Sequence, residues 1–253
     1  MKLKFLITSL TSCSGCISSL ISLDIFPQLL ERTEISYFPF ISDKPRADLC
    51  DIALIEGCVS EDSQIDFLKD IRISTKKVYA LGTCAAFGGI LSLSKKKIAA
   101  PLSDFIEIDG IIPGCPPPSK LFGNCLIKLL ERKNIELSKK NLCSECPYKT
   151  TFKFNPITQI NQLYPHNIEL NNYEENTNCF LSRGIMCLGP ITREGCDHEC
   201  IKRGIPCEGC LGPVSRDFTS SIINFLSLLN LVKDLKKYSG IFYRFSKPKI
   251  WRR

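Results

Sequence analysis

The residues in this sequence best suited to chemistry are its cysteines, fifteen in a chain of 253 that carries only two histidines. Three pairs have C-x2-C spacing: Cys13/Cys16, Cys143/Cys146 and Cys207/Cys210. Such a pair offers two soft, anionic thiolate ligands on one short loop. In an oxidising compartment this many cysteines would form disulfides, whereas repeated C-x2-C spacing in a cytoplasmic chain reads as metal binding. The charged and then apolar start, Met1 to Leu10, runs into Cys13 with no small-residue cleavage site. It therefore reads as a buried first strand rather than a signal peptide, and the expected location is cytoplasmic. With so few imidazoles, a histidine-based zinc enzyme is not expected.

The elements that must position these thiols alternate between strand and helix signals over the first ~140 residues. Residues 3–9, 35–38, 51–55 and 77–81 read as strands, and a fifth falls within 105–112. Helices are expected over about 17–31, with a break or kink at Pro27, over 60–71 behind a Ser60 cap, and over 119–132 behind a Ser119 cap. This alternation predicts an α/β fold with an open, doubly wound parallel sheet. Cys13 and Cys16 then follow strand one, Cys84 follows strand four and Cys115 follows strand five, all beyond the carboxyl ends of their strands. Ligands bind at that edge in open α/β sheets. Four thiolates there match a cubane iron–sulfur cluster in number and type. The glycines around Cys84 and Cys115 allow close backbone approach and free amides to donate to sulfur. Cys58 follows strand three and so lies near the same edge, with Glu56 beside it as either a group able to tune the site or relay protons, or a solvated or capping carboxylate. Cys50 and Cys125 read as packing residues.

From Asn141 onward the pattern changes to cysteine, glycine and proline with little periodicity, followed by a helix over about 215–237 and a basic, exposed tail from Ser246. The expected division is 1–140 and 141–253. Such an irregular segment needs a metal staple to hold it. Its cysteines are Cys143, Cys146, Cys179, Cys187, Cys196, Cys200, Cys207 and Cys210, two sets of four. On spacing alone zinc ribbons rival cubanes here. A cluster at the sheet edge needs a route for electrons, which favours cubanes, since zinc carries none. His198, between Cys196 and Cys200, is expected to be a surface or outer imidazole, with ligation as the alternative; His166 sits in a polar loop.

The chain carries a net charge of +7, with Lys95-Lys96-Lys97 as its densest run. No basic stripe is interleaved with aromatics, so nucleic acid is not an expected partner. No apolar stretch reaches the ~18 residues of a membrane span.

Five motifs, Thr11-Ser12-Cys13-Ser14-Gly15-Cys16, Gly82-Thr83-Cys84-Ala85-Ala86-Phe87-Gly88-Gly89, Pro113-Gly114-Cys115-Pro116-Pro117, Cys187-Leu188-Gly189-Pro190-Ile191-Thr192 and Pro206-Cys207-Glu208-Gly209-Cys210, occur in order along almost the whole chain. In these the sequence resembles the small, electron-transferring subunits of nickel–iron hydrogenases. The resemblance implies a flavodoxin-like first domain, followed by an irregular cysteine-rich iron–sulfur domain with a C-terminal helix. It implies that Cys13, Cys16, Cys84 and Cys115 hold a proximal cluster. It assigns Cys143, Cys146, Cys179 and Cys187 to a distal cluster, and Cys196, Cys200, Cys207 and Cys210 to a medial one. Where the periplasmic branch has a histidine this chain has Cys143, and where that branch has a proline this chain has Cys200. Three 4Fe-4S clusters are therefore implied, in an oxidoreductase complex of the cytoplasmic branch, whose members are viologen-reducing, F420-linked or NAD(P)-linked. The chain itself would carry no catalytic residue. Its implied partners are a nickel–iron large subunit and a further redox subunit bearing flavin or iron–sulfur. The alternatives are a single-cluster quinone-oxidoreductase subunit of the complex I type and a zinc-stapled binding module.

Overall fold

The computed structural model describes residues 2–43, 45, 49–94, 99–149, 160, 178–214, 218–229, 242–243 and 245–246. The lysine run at 95–97, His166 and the last seven residues lie outside the described residues. The chain divides into two compact units, Met1–Leu137 with Phe245–Arg252, and Ser138–Arg244.

The first unit is a five-stranded, wholly parallel sheet. Its strands are β1 (Leu3–Ser9), β2 (Thr33–Tyr37), β3 (Cys50–Glu56), β4 (Thr75–Leu81) and β5 (Gly110–Ile112). Their order is β2-β1-β3-β4-β5, the flavodoxin-like arrangement. The strands alternate their side chains between two apolar layers. Phe5, Ile7, Ile52, Leu54, Tyr79, Leu81 and Ile112 face helices α1 (Gly15–Ile21), α2 (Phe26–Arg32) and α5 (Ser119–Leu130) through Ile17, Leu20, Leu29, Phe122, Leu126 and Leu129. Leu6, Ala53, Ile55, Val78 and Ala80 face α3 (Asp62–Ser74) through Leu68 and Ile71. Both faces are covered, as a parallel sheet requires.

Several local expectations are corrected. The helix expected over 17–31 is two helices, and the break falls before Pro27 rather than at it. Pro27 sits in the first turn of α2, where its missing N–H removes no helical bond. Ser60 does not cap α3: the N-cap position is Glu61, and the Ser60 hydroxyl pairs instead with Thr11 Oγ1 at 2.6 Å. Ser119 is the first residue of α5, preceded by Pro118, and makes no side-chain cap. The fifth strand, by contrast, falls where expected within 105–112, at Gly110–Ile112, with Asp109 just before it accepting the Val78 amide at 2.8 Å.

The second unit has no strand among its described residues. It contains 3-10 turns at Leu142–Glu145, Leu181–Arg183 and Gly189–Ile191, the short helix α6 (Glu199–Lys202) and α7 (Phe218–Leu228). Irregular backbone must still find hydrogen-bond partners. Here Arg193 supplies several: its guanidinium donates to the carbonyls of Ser138, Pro213 and Val214. Tyr243 donates to the Ile191 carbonyl, and Thr192 Oγ1 to that of Leu188 at 2.6 Å. Ile222, Phe225 and Leu226 form the buried stripe of α7, Leu229 just past its end is buried too, and Phe225 meets Phe242 edge-on. Phe242 and Tyr243 are fully buried. Ser246, a residue of the first unit expected at the start of an exposed tail, is fully buried as well.

Candidate metal centres

The first group of cysteines collects at the carboxyl edge of the sheet. Past the end of β1, the amide of Thr11 donates to the Cys58 carbonyl at 3.2 Å, and that of Cys58 donates to the Thr11 carbonyl at 3.0 Å. This exchange ties together the loops after β1 and β3. Ser14 then takes a left-handed conformation (φ 60°), and α1 begins one residue later, so Cys16 lies in its first turn. Cys84 lies on a short helix, α4 (Gly82–Phe87), which leaves β4 without a loop, where the sequence pattern predicts a glycine-rich turn. Cys115 stands on the turn after β5. The Thr83 amide donates to the Gly114 carbonyl at 2.8 Å, and the Gly114 amide to Thr83 Oγ1 at 3.1 Å, so α4 and that turn are fastened side by side.

The thiols feel one another, which requires them to be close. Cys16 is held far above its ordinary pKa by burial first, then by Glu56, Cys84 and Cys115. Cys84 is pushed up to about 12 by burial, then by Cys58, Cys115, Cys13 and Glu56. Cys115 is raised by burial, Cys13 and Glu56. As bare thiols, Cys16, Cys84 and Cys115 are held in their protonated form. A polycationic metal core reverses that balance and takes the sulfurs as thiolates.

The donor set and its surroundings fit an iron–sulfur cluster. All the converging donors are thiols, the ligand type such clusters take. Glycine backbone lies directly against the sulfurs. A Cβ on Gly82 (φ +79°) would stand 2.2 Å from Cys16 Sγ, and one on Gly89 (φ +62°) 2.4 Å from Cys84 Sγ. Only glycine leaves that space open.

A second group occupies the irregular unit. Cys143 is raised by burial and then by Cys187, Cys146 and Cys179. Cys187, itself buried, is pushed up to about 11 by burial, against the pull of the Gly189 and Cys207 amides, with Cys179 and Cys146 adding to the rise. All four are therefore brought together, and glycine again lies against them: a Cβ on Gly189 would stand 3.0 Å from Cys143 Sγ and 3.6 Å from Cys187 Sγ. The remaining four form two pairs. Cys200 feels Cys196, and also Glu208 from within the Cys207–Cys210 loop. Cys207 feels Cys187 and Cys210, and its amide donates to Cys187 Sγ at 3.3 Å. The last C-x2-C pair thus abuts Cys187 of the second group, and its loop also reaches Cys200 through Glu208.

His198 is not a surface residue. It is buried in a left-handed conformation (φ 59°), and Nε2 pairs with the Leu142 carbonyl oxygen at 2.7 Å. That bond ties the Cys196–Cys200 turn to the residue before Cys143. Cys50 opens β3 within the apolar core, and Cys125 is buried in α5. Of the roles open to Glu56, the structure shows the capping one: its carboxylate accepts the amides of Cys16 and Ile17 at 2.9 and 3.3 Å. Among the described residues no three His, Cys, Asp or Glu side chains meet tightly enough to hold a single metal ion; the cysteine groups are gathered more loosely than that. No described helix is long and apolar enough to cross a membrane.

Comparison with known proteins extends these observations. The family model described as NADH ubiquinone oxidoreductase, 20 Kd subunit, matches residues 13–129 and so ends before Cys143. A subunit of the F420-non-reducing hydrogenase vhu of Methanocaldococcus jannaschii is 30% identical, over 86% of this chain and 85% of its own. The sulfhydrogenase 2 subunit delta of Pyrococcus furiosus is 31% identical, over 83% of this chain and 86% of its own. Among solved structures, a chain of the actinobacterial-type NiFe-hydrogenase from Ralstonia eutropha H16 superposes with a TM-score of 0.64 at 16% identity, covering 93% of this chain and 87% of that one. At that identity the likeness is one of fold.

Proposed function

This chain belongs to the family of nickel–iron hydrogenase small subunits, and we propose that it serves there as the electron relay between an H2-activating large subunit and a further redox subunit bearing flavin or iron–sulfur. It acts as an oxidoreductase within a complex and has no catalytic residue of its own. Residues 1–140 hold a proximal 4Fe-4S cluster through Cys13, Cys16, Cys84 and Cys115. Residues 141–253 hold a distal one through Cys143, Cys146, Cys179 and Cys187, and a medial one through Cys196, Cys200, Cys207 and Cys210. The proposed location is the cytoplasm.

What supports this function most is the convergence of four thiols and two glycines without room for a side chain at the carboxyl edge of a parallel sheet. When bound, each cluster supplies a one-electron step. The chain's own part is to hold thiolates at fixed spacing, to keep water from the buried sulfurs of Cys16, Cys187 and Cys207, and to aim amides at sulfur, as Cys207 does toward Cys187. The contact between the Cys207 loop and Cys187 also supports a medial site directly beside the distal one. The eight cysteines after residue 141 favour this function over a single-cluster subunit of the complex I type.

Metal analysis of the native complex tests the cluster count: about twelve irons per chain are expected beyond those of the partner subunits, and one or two zincs in their place would overturn it. Substituting Cys16→Ala should abolish H2-dependent dye reduction. Full activity with an undiminished iron count would remove Cys16 from the path.

A further inference from the structure

Helix α1 begins badly by its own resources. Ser14 stands at its N-cap in a left-handed conformation and makes no side-chain cap, and no acidic residue lies in the first turn. The first amides of a helix have no intrahelical acceptor and must find one elsewhere. For Cys16 and Ile17 it comes from 40 and 39 residues away: Glu56 Oε1 accepts the first at 2.9 Å, and Oε2 the second at 3.3 Å. Glu56 is the last residue of β3 and only 1% exposed. Its backbone is fixed on both sides, by register with Ser9 of β1 and Leu81 of β4, and its carbonyl accepts the Leu10 amide at 2.8 Å. Both side-chain oxygens are thereby committed at the one place where the sheet order reverses, between β1 and β3.

We propose that Glu56 is the positioning residue of the proximal site: its carboxylate caps α1 from the neighbouring strand, fixing the Cys13–Cys16 loop, and its buried negative charge holds the proximal cluster at a lower reduction potential. The inference rests on the proposed relay function for its second half; the cap belongs to the protein alone.

The physical basis is direct. A carboxylate that accepts amide donors in a dry interior is rigidly placed, and its hydrogen bonds are of the stronger, charge-assisted kind. Its charge acts on Cys16, Cys84 and Cys115 alike, and on Cys16 it is the largest influence after burial. Adding an electron to a cluster makes it more negative, so an anion beside it opposes reduction. Removing the anion favours it.

Two substitutions in the full hydrogenase complex separate the roles. Glu56→Gln keeps an oxygen acceptor for the Cys16 amide and removes the charge. It should retain the full iron count and shift the proximal cluster's midpoint, read by redox titration with electron paramagnetic resonance, to more positive potential, leaving the other signals in place. Glu56→Ala removes the cap. Hydrogen exchange at the amides of Cys16 and Ile17 should then accelerate roughly tenfold or more. An unmoved proximal midpoint in Glu56→Gln with full iron overturns the electrostatic role, and unchanged exchange in Glu56→Ala overturns the cap. A wild-type complex lacking iron at this site would instead sink the relay function, and exchange at Cys16 and Ile17 would still decide the cap.

Discussion

The two units of this chain solve the same problem, holding thiols at a fixed spacing, by opposite means. In the first, the sheet comes first. Phe5, Leu6, Ile7, Leu54, Leu81 and Ile112 are all fully buried, and the strands deliver their cysteines to one edge as a consequence of topology. The second has short turns, a four-residue helix and isolated bridges at Asn141–Arg193 and Thr192–Pro213. Its backbone is stitched by single side chains such as Arg193, His198 and Tyr243. On the proposed function, the contrast makes the first region a scaffold for its metal and would make metal part of the scaffold of the second. A small, loop-rich module gains from a bound metal the folding free energy its core does not supply.

Stripping iron from the full chain with a chelator probes that contrast most severely. Amide exchange in peptides spanning 179–210 should rise by roughly a hundredfold or more, while β1, β3 and β4 keep their protection. Equal loss in both units would erase the distinction. Next in size is Leu54→Ala, a cavity in the centre of the sheet. It should cost about 2–5 kcal/mol in the unfolding of the first unit, with the iron of the second unit retained. If the second unit's iron is lost as well, the two do not stand independently.

Gly82→Ala sharpens the comparison at one atom. The new methyl would lie 2.2 Å from Cys16 Sγ at a φ of +79°, which costs about 1–2 kcal/mol in backbone alone. Iron analysis should show about four irons missing from about twelve, all from the first site. A full complement would mean that the glycine is not there to make room for the cluster.

The smallest expected effect concerns pH. Burial in α5 pushes the Cys125 thiol up to about 11. Its folded pKa is therefore above the ordinary value near 8.5. Its contribution to stability is fully present below that ordinary value and is lost as pH rises toward about 11. Over that interval the first unit should lose on the order of 1–3 kcal/mol through this group. Cys125→Ala should flatten the slope of unfolding midpoint against pH; an unchanged slope would assign the alkaline sensitivity to other thiols.

Much of the first unit was legible from sequence because its signals are local and repeated. A run such as Asp51-Ile52-Ala53-Leu54-Ile55 can only be a buried strand, and a cysteine following it can only fall at the carboxyl edge. The helix starts were less legible. Ser60 and Ser119 looked like caps, yet Ser60 is claimed by Thr11 and Ser119 already lies inside its helix. A cap is a contest between nearby acceptors, and the winner depends on what the rest of the chain brings within reach.

By itself, then, the sequence determined the alternating α/β order, the four thiols beyond strands one, four and five, and the eight that follow in an irregular stretch. Those features depend on composition and spacing along the chain. Tertiary structure alone decided that Glu56 caps the helix carrying Cys16, that Gly82 and Gly89 stand against sulfur, that Cys58 lies beside Cys84, and that His198 bonds to Leu142 instead of facing solvent. Each of these joins residues from different elements, across 40 positions for Glu56 and Cys16 and 56 for His198 and Leu142. Such contacts exist only once the strands are in register and the turns closed, because hydrogen bonds and steric clearance are fixed by distance in space, which local pattern does not encode.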